Sequence, residues 1–290
     1  VDDQIDGQAH VILAWARLAK VRPNSKFIES TYEQAAKLMT RSLNPPYFMY
    51  QTGPAGAGAQ ALRLIFNISL EHSREGRRWQ AYDLLAQSFV GSAATQMVDV
   101  ARSRGDTKRA ADWMNRVIAL RGGIKDNLTR QAGDKLVYLE MRLPDGAGGR
   151  AFTGMGWLCL SPIPAQWEGL DRQVMRDTVE LMEKKLWKTD PVTKKLKYLA
   201  TEYGENGLSG NDIIGKGVGW HIDYCRQEKD YGKIVDWFAF LSEHHDDNLY
   251  MEQMSVKNGK WEIVDRGNGE QAGWWCWAIA RLRAEFGLSP

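Results

Sequence analysis

Apolar residues along this chain recur three and four positions apart over long stretches, the spacing of one buried face of an α-helix. Residues 6–20 carry Val11, Leu13, Ala14 and Leu18 on such a side, and a partner helix is expected from a Ser30 or Thr31 cap to about Leu43. Further helices are expected at about 79–104 and 107–121, over a short apolar stretch at 153–161, and from an Asp171 cap to about Trp187. The last three fall at about 209–227, 230–243 and 271–285. Between them run long stretches without helical period: 44–77, 122–152 with a strand possible at KLVYLEMRL, 188–208 with a turn at TDPVTKKL, and 246–270.

The helices are of two kinds. Those at 6–20, 79–104, 153–161, 209–227 and 271–285 are rich in Gly, Ala, Trp and Cys and apolar on most sides, whereas those between them are amphipathic and charged. A helix apolar all round is buried, and an amphipathic one faces water on one side. The alternation therefore predicts an all-α fold, an (α/α) toroid with an inner and an outer ring of helices in one domain over residues 1–290. An internal repeat supports it. GSAATQMVDVARSRGDTKRAADW at 91–113 aligns without a gap on GKGVGWHIDYCRQEKDYGKIVDW at 215–237, at a constant offset of 124. Gly91, Asp99, Arg102, Asp106, Asp112 and Trp113 match Gly215, Asp223, Arg226, Asp230, Asp236 and Trp237. Repeated helix–turn–helix units bury their apolar sides only by stacking on neighbours. Every long loop precedes an inner helix, so the loops and the positive ends of the inner helices should share one face and build a pocket there.

Charge and composition narrow the function more than the fold. A net charge of +2 leaves no footprint for nucleic acid, and no segment approaches the roughly 18 apolar residues of a membrane span. No signal peptide opens the chain, nothing assigns a compartment, and the chain is read as a monomer. The opening residues are already in helical stride, so the sequence is expected to start partway into a domain. Cys159, Cys225 and Cys276 each lie in an apolar helical run, which argues for buried thiols over disulfides or zinc. Phosphate loops, dinucleotide fingerprints and His-Glu-x-x-His helices are absent, and neither a cofactor nor a metal is expected. Twelve tryptophans are unusual, and seven of them (Trp15, Trp79, Trp157, Trp220, Trp274, Trp275, Trp277) fall at or just after loops that precede helices. Such rings either pack the core or offer flat faces to sugar rings.

With these residues on the page the pattern resembles the six-hairpin, (α/α)6-toroid glycosidases, of the glucoamylase, trehalase and processing-glucosidase type. In that family the general acid is a Glu in the loop before the sixth helix, and the base is a Glu before the twelfth. If 271–285 is the twelfth helix, the loops to inspect are 44–78 and 246–270. The first holds Leu70-Glu71, and Gly91-Ser92-Ala93 sits in the helix that follows, so the resemblance implies Glu71 as the acid. The family's Trp beside that Glu is missing, and Glu75 stands four residues on. The second loop holds Glu252-Gln253-Met254, which implies Glu252 as the base, and Glu270 resembles a further carboxylate that some relatives carry. The first three helices of the ring are expected to lie upstream of Val1.

Cleavage of a glycosidic bond needs a protonated carboxyl for the leaving oxygen and an ionised one to activate water or attack. The resemblance implies carbohydrate as the substrate and an inverting glycoside hydrolase as the activity. Asp3 and Asp6, ahead of the first inner helix, are candidates for binding sugar hydroxyls or for capping that helix. Glu202 and Glu205, His72, Trp79, Trp220 and Trp274 complete the candidate pocket. Arg74, Arg77, Arg78, Lys216 and Arg266 suit an anionic sugar or neutralise the carboxylates. Two other readings compete: a toroidal polysaccharide lyase or unsaturated uronyl hydrolase, and a silent helical scaffold that binds a glycan or a protein.

Overall fold

The computed structural model describes residues 5–43, 48–51, 61–69, 79–142, 151–152, 155–201, 211–244 and 251–289. They fall into two compact units, Val1–Phe152 with Ala165–Val174, and Thr153–Pro164 with Met175–Pro290. Helices dominate both.

The first unit is built on α1 (Ile5–Val21), α2 (Lys26–Leu43), α3 (Leu84–Ser103) and α4 (Thr107–Asn127). α1 buries Ala9, Ile12, Leu13, Ala16 and Ala19, and the three alanines let it lie close to α3. α3 is buried along nearly its whole first half, from Leu84 to Ala94. At Gly91 a β-carbon would fall 2.3 Å from the Trp167 ring, so the missing side chain is what admits that indole. The indole's Nε1 donates to Thr95 Oγ1 at 3.0 Å. α4 is amphipathic, burying Ala110, Trp113, Val117, Leu120 and Ile124 at alternating spacings of three and four.

Strands accompany these helices. β1 (Phe48–Gln51), β2 (Ala61–Ser69), β3 (Trp79–Asp83), β6 (Met141–Arg142) and β7 (Ala151–Phe152) form an antiparallel sheet in that order, and β4 (Thr129–Ala132) pairs with β5 (Lys135–Tyr138). Several expected boundaries move accordingly. The helix expected from 79 begins at Leu84, because Trp79–Asp83 pairs as a strand and Asp83 then caps α3 through Ala86 N at 2.7 Å. α4 runs six residues past its expected end. α2 begins at Lys26, so Ser30 and Thr31 lie inside it and turn their hydroxyls back to the Phe27 carbonyl instead of capping.

The second unit carries a 3-10 turn at Trp157–Leu160 where a short inner helix was expected, with the helical turn α5 (Pro162–Ala165) next to it in sequence. Gly156, Pro162 and Pro164 keep that stretch short. α6 (Arg172–Leu186) starts at its expected Asp171 cap, which accepts from Gln173 N and Val174 N. The hairpin of β8 (Trp187–Thr189) and β9 (Lys197–Leu199) follows, then β10 (Ile213–Ile214), α7 (Gly215–Gln227) and α8 (Tyr231–His244). The expected loop 246–270 contains a hairpin, β11 (Met251–Lys257) and β12 (Lys260–Arg266), before α9 (Gly269–Glu285). Asn258 and Gly259 both have positive φ, 51° and 74°, the two-residue turn that matches strand twist.

The repeat is structural as well as textual. In each unit an N-cap aspartate, Asp106 or Asp230, pairs with a cation three residues on, Arg109 or Lys233. That cation reaches a glutamate of another helix, Glu33 of α2 or Glu183 of α6, at 2.8 and 2.9 Å. Asp99 takes Lys20 of α1, and its counterpart Asp223 takes Arg281 of α9.

Gly91→Ala should lower stability by roughly 1–3 kcal/mol, the range for overpacking a filled core. Calorimetry should show a fall in Tm of roughly 2–4 °C per kcal/mol. In a Trp167→Ala background the same change should cost far less, and an equal cost in both backgrounds would mean that the indole is not the obstacle.

Candidate functional site

In the second unit three segments converge. β10 leads straight into α7, β11 pairs with β10 through Ile214 and Gln253, and β12 returns to the start of α9 with Arg266 opposite Met251. Glu252 on β11 thus comes to lie beside Asn268, the N-cap of α9, whose Nδ2 donates to Glu252 Oε2 at 3.0 Å. Asn268 Oδ1 accepts from Glu270 N and Gln271 N. Gln253, on the opposite side of the strand, donates to Ser255 Oγ at 3.1 Å.

Lys216, in the first turn of α7, is largely buried, with its ammonium 2.9 Å from Glu270 Oε1 and 4.5 Å from the centre of the Trp157 ring. Glu270 keeps about half its side chain exposed, at 48%. The pair is therefore an ion pair open on one side, its cation seated on an aromatic face. Beneath it the rings run in sequence, Trp157 to Trp220 at 5.9 Å, Trp220 to Trp274 at 5.4 Å, and Trp274 to Trp277 at 5.6 Å. Trp220 is wholly buried and backs its two neighbours, while Trp157, Trp274 and Trp277 are partly exposed. Of the residues expected from sequence, Glu252, Glu270, Lys216, Trp220 and Trp274 all belong to this unit. Asp6 lies in the first turn of α1 in the other unit. Asp3, Glu71, His72, Glu75, Arg74, Arg77, Arg78, Glu202 and Glu205 lie outside the described residues, as does the Trp79 side chain.

Sequence reasoning passed over a second cluster. Among the described residues Glu183, His221 and Cys225 alone bring three ligand-type atoms within reach of one ion, within 4.8 Å of one another. The hydrogen bonds argue against a metal there. The Trp237 indole, which can only donate, reaches His221 Nδ1 at 2.9 Å, so the ring proton sits on Nε2 and is donated to Glu183 Oε1 at 2.9 Å. A ligating histidine needs its free nitrogen to donate, and here that nitrogen accepts. Glu183 Oε2 is taken by Lys233 at 2.9 Å. Burial alone would raise the Glu183 carboxyl, but the bonds from His221 and Lys233 hold it below its ordinary value. Burial pushes the Cys225 thiol well up, with the Glu183 charge adding to it. The only sequence signal for this cluster is His221 and Cys225 one helical turn apart on an apolar helix.

No known protein family and no curated protein matches the sequence. Among solved structures the chain is similar to a D-mannose isomerase, with a TM-score of 0.52 and 13% identity, over 97% of this chain and 72% of that one. At that identity the likeness is one of fold. The fold class is all-α, of the (α/α)-toroid kind that the sequence predicts.

The thiols give a direct check on burial. Ellman's reagent should titrate one thiol, Cys276, in the native protein at mildly alkaline pH and three after unfolding, since Cys159 and Cys225 are buried. Rapid reaction of two or three native thiols would contradict this packing.

Glu183 gives a check on charge. A depressed carboxylate stabilises the fold above its unfolded value of about 4.3, and this stabilisation is lost as pH falls through the lower folded value. The stability gap between wild type and Glu183→Gln, measured by denaturant melts, should therefore be widest near neutrality and close toward acid. A gap constant with pH would show that the charge of Glu183 is not what stabilises the network.

Proposed function

We propose that this protein acts on carbohydrate, as a glycoside hydrolase in which Glu252 is the general base. The observation that carries the reading is the pairing of Glu252 with Asn268 beside the open Lys216–Glu270 pair and the partly exposed Trp157 and Trp274. Aromatic faces suit the apolar faces of sugar rings, and the ionic groups suit their hydroxyls. Fold likeness to a sugar isomerase adds weight without deciding the reaction.

In the proposed step Glu252 takes a proton from water as the water oxygen bonds to the anomeric carbon. The glycosidic bond breaks on the opposite face, and the leaving oxygen takes a proton from a carboxylic acid. The acid stays with Glu71, as the sequence resemblance implies. Inversion of the anomeric centre follows from this division of labour.

A second reading, sugar isomerisation, is favoured by the similarity to D-mannose isomerase. It asks the same residue for a different service, moving a proton between neighbouring carbons of an open-chain sugar. The products separate the two readings, because hydrolysis releases two fragments while isomerisation leaves the mass unchanged.

A panel of aryl glycosides, oligosaccharides and free aldoses followed by proton NMR decides between them. Hydrolysis should appear, with the inverted anomer formed first. Glu252→Gln should slow turnover by roughly 10²–10⁴-fold while binding is largely kept, the usual contribution of a general base. Conversion of an aldose to its ketose would move the assignment to isomerase, and unimpaired turnover in Glu252→Gln would remove Glu252 from the chemistry.

A further inference from the structure

Asn268 uses both ends of its carboxamide. The oxygen accepts from two backbone amides in the first turn of α9, Glu270 N at 3.0 Å and Gln271 N at 3.2 Å. That engagement fixes which way round the amide sits, because only the oxygen can accept from an N–H. The NH2 group is then turned to Glu252 Oε2, 3.0 Å away. Capping alone does not require asparagine, since Asp and Ser cap about as well and Thr nearly so. Of these residues only asparagine offers an acceptor to the helix and a donor to a neighbouring carboxylate from one rigid planar group.

We propose that Asn268 is a positioning residue for Glu252: it pins carboxylate oxygen Oε2 to the frame of α9 and leaves Oε1 to take the proton. The inference rests on the reading of Glu252 as the general base. A base that rotates freely about its last side-chain bond presents a proton-accepting oxygen in the wrong place most of the time. Tying one oxygen to a helix cap removes that freedom. The same bond couples the carboxylate to α9, so the lysine partner Glu270, two residues beyond the cap, moves with it.

Three substitutions separate positioning from capping. Asn268→Ser keeps the cap and loses the carboxamide NH2, its one hydroxyl sitting a bond short of where that donor stands. Asn268→Asp keeps the cap and sets a second carboxylate beside Glu252. Asn268→Ala loses both. Two readouts apply, the titration of the Glu252 carboxyl carbon by 13C NMR and the pH profile of kcat/KM on a 4-nitrophenyl glycoside. In Asn268→Asp the Glu252 carboxyl should titrate about one pH unit higher or more than in wild type, as expected for a like charge at that distance. The acid limb of the rate profile should follow it. Asn268→Ser should lower kcat roughly ten- to hundred-fold, the usual worth of a hydrogen bond to a charged group. KM and the melting temperature should stay near wild type in that variant. Asn268→Ala should in addition melt earlier.

If the Glu252 titration is unmoved in Asn268→Asp, or if Asn268→Ser turns over at the wild-type rate, Asn268 is only a cap and the inference is overturned. Glu252→Gln distinguishes the two levels of failure. Full activity there removes the base reading itself. An inactive Glu252→Gln with an unaltered Asn268→Asp overturns the positioning role alone.

Discussion

At Gly219 the backbones of α7 and α9 come so close that a β-carbon would stand 2.9 Å from the Trp274 carbonyl oxygen. A side chain at that position would force the helices apart. Because they touch, the Trp275 indole reaches the Gly215 carbonyl at 3.2 Å, and Lys216 one residue later reaches Glu270. The same approach presses Trp220 edge-on against Trp274. The candidate site is thus a consequence of helix packing: two helix starts lie side by side, and the strand carrying Glu252 is held against both by β10 and by Asn268.

Behind this site the second unit spends its buried polar groups with care. Trp237, His221, Glu183 and Lys233 form a chain in which each member is fixed by the next, and Lys233 closes it on Asp230. The first unit repeats the Asp–cation–Glu half of that chain, with Arg109 joining Asp106 and Glu33, but puts Met97 where the second has His221. In the first unit the glutamate is mostly exposed, at 61%, against 15% for Glu183. Exposed pairs are screened by water and contribute little, whereas a satisfied buried network fixes one arrangement of the core. The two copies of one motif therefore differ in what they do for the fold.

The helices were legible in the sequence because their apolar spacing extends over many residues, and the Asp171, Asp106 and Asp230 caps mark turns that the structure keeps. Of the strands only the stretch KLVYLEMRL was read, where β5 and β6 lie. In ALRLIFNIS apolar Leu62, Leu64, Phe66 and Ile68 alternate along the chain, a period of two inside the stretch 44–77 taken as a loop. Asn258-Gly259, the strongest short hairpin signal, likewise stood in an expected loop. Glu252 was found by its neighbours in sequence, but its position on a strand, and the asparagine that holds it, depend on contacts sixteen residues apart. Such contacts leave no periodicity to read. His221 was passed over for the same reason, since its partners Glu183 and Trp237 lie on other helices.

The central claim is that sugar is handled where α7, α9 and β11 meet. The most direct measurement is a crystal structure of Glu252→Gln soaked with the best substrate from the glycoside panel. The account predicts an intact sugar with its anomeric carbon facing residue 252, a hydroxyl within hydrogen-bond reach of Lys216 or Glu270, and a ring against Trp157 or Trp274. A sugar bound in order elsewhere on the protein, with this cluster occupied by solvent, would contradict it.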